Sequence, residues 1–477
     1  MKAPFSPYLD SLVPGMKALV DILGRSFDYV SVLSTDSVGF QVSISQRSKS
    51  VSNANMTTER GNVVRVCRNG QYSEYAFNEV PEKIEDLADE ILRELERQYA
   101  LLALTGTKSY DTPVLADEPL ELFVEKEALR LPESEDMKTL VAFLTRLSDR
   151  GKEIIPRALD CLLNASSTHI SKMFLSKNRF LRQSYVYTEG TCAAYAPNDE
   201  GEIKFTYEGV SGCCGPEVLD GLEALVEQMP KTMEEMLSSE KVVPGEYEII
   251  TDPGISGLIA HEAFGHGVEM DMFVKKRALG EQYIGKRVGS DLCTMHEGAL
   301  CDESVTAYAF DDEGTLAGDV TEIDHGILKA GICDALSALR LGTVPTGNGK
   351  RENFAHKAYT SMTNTIFDSG EDSLEDMIAS VKFGYLLKGT ESGMEDPKHW
   401  GIQCIMSRGY EIKDGKLTGK VVSPVVMTGY VPDLLGGICM ASTDRKVEGN
   451  GGCGKGHKEW VKVADGGPYL KTKARLG

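Results

Sequence analysis

Strand-forming and helix-forming stretches come in separate runs along this chain instead of strictly alternating, and segregation of that kind favours an α+β arrangement over a doubly wound parallel sheet. Residues 27–75 hold short β-rich pieces, Tyr29-Val30-Ser31-Val32 and Val63-Val64-Arg65-Val66 among them, punctuated by Gly39, Gly61 and Gly70. From Pro81 the period changes. Ile84, Leu87, Ile91, Leu92, Leu95, Tyr99 and Leu102 recur at helical spacing between charged residues, which predicts an amphipathic helix. An acidic, proline-containing connector at 111–120 leads to a second helical segment around 136–150. Alternation over residues 180–187 predicts a strand, and Leu219, Leu222, Leu225 and Met229 predict a helix over 216–239.

Pro244-Gly245 is the best boundary, and beyond it glycine and short strands dominate. The expected organisation is an N-terminal mixed α/β sheet domain over 1–240, with a further division into 1–110 and 120–240 left open. A glycine-rich, β-dominated C-terminal domain over 241–477 follows, carrying the helix described below. A length of 477 residues suffices for two or three such domains. No apolar run approaches the roughly 18 residues of a membrane span. The first 25 residues are interrupted at Pro4, Pro7, Asp10, Pro14 and Gly15, so neither a signal peptide nor an anchor is expected.

Two counts narrow the function. The 51 basic and 72 acidic residues leave a net charge of −21, which repels polyphosphate and makes nucleic acid a poor partner. The 11 cysteines are odd in number and scattered, as reduced thiols of a cytoplasmic protein would be. Adjacent Cys213 and Cys214 suit a glycine-flanked turn with two buried thiols better than a strained redox pair.

The stretch Leu258-Ile259-Ala260-His261-Glu262-Ala263-Phe264-Gly265-His266 carries the chemistry. It follows a strand-forming run, Tyr247-Glu248-Ile249-Ile250-Thr251, with Asp252 as helix cap and Pro253 in the first turn. Two imidazoles offer borderline-soft ligands for zinc, and a glutamate between them can take a proton from a water activated by the ion. The spacing is unusual. Residues five apart on a regular helix lie about 140° apart around its axis, so His261 and His266 could not both face one ion. Either the helix widens by one residue in a π-bulge, or it ends near Gly265 and the chain turns His266 back. The third ligand has to come from afar, and Gly451-Gly452-Cys453-Gly454-Lys455-Gly456-His457 offers a thiolate at Cys453, with His457 as a rival. The same glycines formally match a dinucleotide fingerprint, but too little chain follows for a βαβ unit.

These residues resemble the TldD/PmbA family of metallopeptidases, specifically its metal-bearing TldD-like branch. The resemblance rests on His261, Glu262 and His266 followed by the late Cys453-Gly454-Lys455. Family-like pieces at Arg60-Gly61-Asn62-Val63-Val64-Arg65-Val66, Asp311-Asp312-Glu313-Gly314-Thr315, Ser361-Met362-Thr363-Asn364-Thr365 and Gly370 extend it over most of the chain. It implies zinc held by His261, His266 and Cys453, with Glu262 as general base acting on short or unfolded peptides. It also implies a cytoplasmic dimer, of like chains or with a related chain lacking the metal motif. His457 and the segment His399-Trp400-Gly401-Ile402 depart from the family pattern. The alternative class is a metal-stabilised, non-catalytic peptide-binding or regulatory subunit. A cysteine peptidase with Cys453 as nucleophile is a further rival that chelators would not stop.

Other features carry less. Glu269 and Asp271 could fix an imidazole tautomer, although such acids are more often solvated. Asp311-Asp312-Glu313-Gly314 lacks the spacing of a calcium loop and reads as a turn. In the stretch 342–350 Asn348 stands where a phosphate loop needs lysine. His169, His296, His325, His356 and His399 lack a spaced partner and read as structural or surface residues.

Overall fold

The computed structural model describes residues 1–52, 59–105, 110–302, 306–456 and 459–477. Strands β1 (Tyr29–Ile44), β2 (Lys49–Ser52), β3 (Arg60–Arg68), β4 (Gln71–Phe77), β5 (Leu120–Glu125), β6 (Asp160–Ser176), β7 (Arg179–Pro197) and β8 (Ile203–Gly212) build a first sheet. Its order is β4-β3-β1-β6-β7-β5, with β2 added to β1 and β8 to β7. β5 lies parallel to β7 and the other pairings are antiparallel.

The strand period of two sends alternate side chains to opposite faces, and here the two faces have different jobs. Helices α1 (Pro7–Leu23), α2 (Ile84–Thr105), α3 (Met137–Ile154) and α4 (Leu222–Leu237) all cover the same face. Leu9, Leu19, Ile91 and Leu95 of α1 and α2 pack on Val30, Val32, Met173 and Leu175 at one end. At the other, Leu144, Leu147, Val226 and Met229 of α3 and α4 pack on Phe40, Val42, Leu163 and Ala165. The opposite face mixes polar side chains with an apolar cluster of Leu33, Phe174 and Leu181, and through Thr35, Thr168 and Lys172 it lines a cavity of about 680 Å³. The far wall of that cavity comes from residues 350–354 and 460–462.

A second sheet contains β9 (Gly245–Thr251), β10 (Met295–Glu297), β11 (Val320–Asp324) and β12 (Ile327–Leu328). The short ladder of β13 (Gly349–Lys350) with β14 (Tyr359–Thr360) stands apart. The sheet continues with β15 (Asn364–Phe367), β16 (Phe383–Asp396), β17 (Gly401–Lys413), β18 (Lys416–Val422), β19 (Val425–Tyr430), β20 (Met440–Lys455) and β21 (Glu459–Leu476). Because β9 pairs with both β16 and β21, the strands β21-β19-β17-β16-β9 close on themselves. The architecture is α+β, with glycine-turned strands dominating the second half.

Helix α5 (Pro253–Leu258) leaves β9 and lies against β21 so closely that a Cβ on Gly257 would sit 2.4 Å from the backbone nitrogen of Gly466. That contact, with Ile255, Ile259, Ala263 and Phe264 in the largest apolar core, fixes where the following turns point. Buried ion pairs join the two sheets' surroundings: Arg65 to Glu313 at 2.5 Å, Arg351 to Glu74 at 2.5 Å, and Lys172 to Asp312. Among the described residues no helix is long and apolar enough to cross a membrane.

Candidate metal centre

Asp252 caps α5 as its sequence predicts, its carboxylate accepting the Ile255 N–H at 2.9 Å, and Pro253 occupies the first turn. Beyond Leu258 the helix widens into a π-helix over Ile259–Gly265, followed by a 3-10 turn at His266–Val268. The N–H of His266 bonds the carbonyl of His261, five residues back. This wider turn is the first of the two routes the five-residue spacing leaves open, and it brings both imidazoles to one side. Their rings stand 5.1 Å apart and nearly perpendicular.

Strand β20 supplies the third group. Cys453 Sγ lies 3.5 Å from His266 Nε2, and the candidate ligand atoms of His261, His266 and Cys453 all fall within 4.8 Å of one another. Ligands held tetrahedrally at about 2.0–2.3 Å from an ion are themselves about 3.5 Å apart, so small side-chain rotations suffice. Among the described residues no other group of three or more potential ligands converges in this way.

The protonation states fit a cation. Burial, reinforced by charge on His266, pushes His261 down to about 3, which leaves its ring neutral with a lone pair to give. Its Nδ1 is buried without a hydrogen-bond partner, an unsatisfied atom that a bound group would explain. His266 moves the other way: burial opposes its charge, but the Glu269 carboxylate and Cys453 outweigh it and hold the pKa well above the ordinary value. Two imidazoles and one thiolate form a donor set that suits a borderline-soft divalent metal.

Glu262 reaches the same spot. Its Oε2 is 3.9 Å from His266 Nε2, and its side chain retains 18% exposure, enough for contact with water. Burial raises its pKa, with His266 offsetting part of the shift. Gly393 on β16 makes room for it, since a Cβ there would lie 2.5 Å from Glu262 Cγ.

Glu269 and Asp271 are not solvated. They are 2% and 5% exposed, because the 3-10 turn carries them inward. A single oxygen of Glu269, Oε2, accepts from His266 Nδ1 at 3.1 Å and from Lys455 Nζ at 3.0 Å. Lys455 carried no role in the sequence beyond its place beside Cys453. Glu395 was also missed: its carboxylate and the indole nitrogen of Trp400 are buried without partners, both close to Gly267. Neither residue has a local spacing signal that could have found it.

The remaining expectations divide. His457 lies outside the described residues. Gly449, Gly451 and Gly454 sit in the β20–β21 hairpin, where no helix follows to receive a dinucleotide. Asp311, Asp312 and Glu313 do form a turn, but a buried one. Asp311 accepts the N–H groups of Glu313, Thr315 and Gly349, while Asp312 and Glu313 bind Lys172 and Arg65 of the first sheet. Asn348 is buried and donates to Glu297. Cys213 and Cys214 are half-buried, a correction to the two buried thiols expected, because the end of β8 leaves that turn partly open. His169 is buried between Glu133 and Ser184. The 680 Å³ cavity is not at the metal centre: it borders Gly451 and Gly452 but none of His261, Glu262, His266 or Cys453.

Comparison with known proteins finds similarity to metallopeptidases and metalloproteases. The family model described as "PmbA/TldA metallopeptidase C-terminal domain" matches residues 244–473. A metalloprotease of Synechocystis sp. is 26% identical over 467 residues, 95% of this chain and 96% of that protein. A metalloprotease TldD homolog of Buchnera aphidicola subsp. Acyrthosiphon pisum is 34% identical over 241 residues, covering 50% of this chain and 49% of its own. Among solved structures, TldE from Thermococcus kodakarensis superposes with a TM-score of 0.76 at 17% identity, over 97% of this chain and 100% of that one, which is a likeness of fold.

Proposed function

This chain belongs to the TldD/PmbA metallopeptidase family, and from that premise we propose that it is a zinc-dependent peptidase acting on short or unfolded peptides. The observation that carries the reading is the convergence of His261, His266 and Cys453 with the Glu262 carboxylate beside them.

His261, His266 and Cys453 would hold the ion. When bound, zinc supplies Lewis acidity that polarises the scissile carbonyl and makes water more acidic. Glu262 is the general base: its side chain is open enough to meet water, and its raised pKa brings it nearer the operating pH than an ordinary carboxylate. It takes a proton from the attacking water and returns it to the departing amine. A thiolate among the ligands gives the ion more charge than a carboxylate would, which leaves more of the activation to Glu262. Glu269 holds His266 through Nδ1, keeping Nε2 directed at Cys453 and Glu262. Cytoplasmic placement and a dimer, either of like chains or with a related chain lacking the metal motif, belong to the same reading.

The test is metal content of the wild type and His261→Ala by elemental analysis, with peptide hydrolysis assayed before and after chelation. About one zinc per chain, lost with His261→Ala, and hydrolysis stopped by the chelator support the proposal. Hydrolysis by metal-free protein would instead favour Cys453 as a nucleophile. A zinc-loaded but inactive chain would favour the non-catalytic peptide-binding role.

A further inference from the structure

Cys453 and Lys455 are two apart on β20, and residues two apart on a strand point to the same face. The strand that delivers the thiolate to the two histidines therefore also delivers an ammonium beneath them. Lys455 Nζ contacts Glu269 Oε2 at 3.0 Å, Asp271 Oδ1 at 2.7 Å and the carbonyl of Thr360 at 2.6 Å, so all three of its hydrogens are used. Glu269 is 2% exposed, and its Oε2 is the atom that receives His266 Nδ1–H. Its other oxygen, Oε1, is buried without a partner. Without Lys455 this carboxylate would sit in the interior with one imidazole as its anchor, a costly arrangement that invites it to move.

We propose that Lys455 is a positioning residue for the metal centre, coupling the strand that carries Cys453 to the ring of His266 through the shared oxygen of Glu269. The inference rests on the metal reading above and adds to it why the third ligand comes from this hairpin. One β-strand sets the thiolate directly and the His266 ring indirectly, so all three ligands are placed by two elements. The ammonium of Lys455 is taken up by Glu269, Asp271 and the carbonyl of Thr360. Its effect passes through Glu269, while Asp271, which also holds Lys275, steadies the ammonium from the other side.

The test is zinc affinity of the full chain, measured by competition with a chelator, for Lys455→Met, Glu269→Gln, the double variant and Lys455→Arg, with His261→Ala as control. Lys455→Met and Glu269→Gln should each weaken zinc by about 10- to 100-fold, the range for outer-shell partners. The double variant should bind about as tightly as Glu269→Gln alone, because the lysine acts through that carboxylate. Lys455→Arg should restore part of the loss. Saturated with cobalt(II), Lys455→Met should keep a thiolate-to-metal charge-transfer band, which shows that Cys453 still ligates and the fold is intact. If Lys455→Met does not fold, Lys455→Gln takes its place. Wild-type zinc affinity in the lysine variant, or losses that add in the double variant, overturn the coupling while leaving the metal site standing. Retention of zinc by His261→Ala overturns the metal reading and this inference with it.

Discussion

Cys453 Sγ and His266 Nε2 lie 3.5 Å apart although 187 residues separate them in the chain. The helix that bears His266 is pinned to β21 at Gly257, and β21 is the hairpin partner of the strand that bears Cys453. The separation is therefore set by one sheet and the helix packed on it, and it does not require a flexible loop to close.

A thiolate committed to an ion is shielded from alkylation, which separates the ligand role of Cys453 from the nucleophile role. In zinc-loaded protein, peptide mapping after iodoacetamide treatment should find Cys453 largely unmodified, and chelation should expose it. Cys453→Ser should weaken zinc by more than the roughly 100-fold that loss of an outer-shell partner costs. Equal labelling before and after chelation would argue against ligation.

Glu262 reaches the site without belonging to the ligand set. Glu262→Gln keeps the shape and removes the base, so zinc content should be unchanged while kcat falls by about 10²- to 10⁴-fold. Near wild-type turnover in that variant would remove the general-base assignment.

The packing of β16 against Glu262 makes a second, independent probe of the same group. An alanine Cβ at position 393 would stand 2.5 Å from Glu262 Cγ and 3.1 Å from Leu258 Cδ1, closer than real contacts allow. Gly393→Ala should displace the carboxylate and lower kcat by about 10- to 100-fold, since misplacement of a reacting group by about 1 Å costs that much. Zinc content should stay near wild type, because the nearest neighbours of a Cβ here belong to Glu262 and Leu258 and not to the three candidate ligands. A variant with full activity would show that Glu262 has freedom the packing does not suggest.

What the sequence revealed follows from how local each signal is. The helix around residues 84–102, the strand at 180–187 and the Asp252 cap are all written within a turn or two of chain, and the spacing of His261 and His266 narrowed the local backbone to two routes, of which the fold takes the π-widening. α1 was obscured by Pro14 and Gly15, which would ordinarily end a helix. Its Ser6 cap, Pro7 at the first turn and buried Leu9, Met16, Leu19, Val20 and Leu23 nevertheless hold it together. Lys455 and Glu269 meet across 186 residues, and Arg65 and Glu313 across 248, with no spacing that pattern reading could use. Gly393 and Glu395 carried no signal for a similar reason: the long β16–β17 hairpin brings them to the site only through tertiary packing.

The junction between the first sheet and the half that carries the candidate metal centre predicts an acid-dependent loss of stability. Glu74 lies between Arg65 and Arg351; burial alone would raise its pKa, but the two guanidinium groups outweigh that and hold it at about 2. A carboxylate whose folded pKa is depressed stabilises the fold fully above its unfolded value, near 4.5, and loses that contribution as pH falls toward about 2. The shift corresponds to about 3 kcal/mol for this three-quarters-buried side chain. Glu74→Gln should therefore lower Tm by several degrees at neutral pH. The gap between variant and wild type should narrow as pH is lowered below about 4.5, because the unfolded wild-type chain then binds a proton at Glu74 that the folded chain takes up only near pH 2. A gap that stays constant down to the acid transition would mean that the Arg65 and Arg351 contacts do not hold this carboxylate ionised, and that the junction draws its strength from Lys172–Asp312 and the surrounding apolar packing instead.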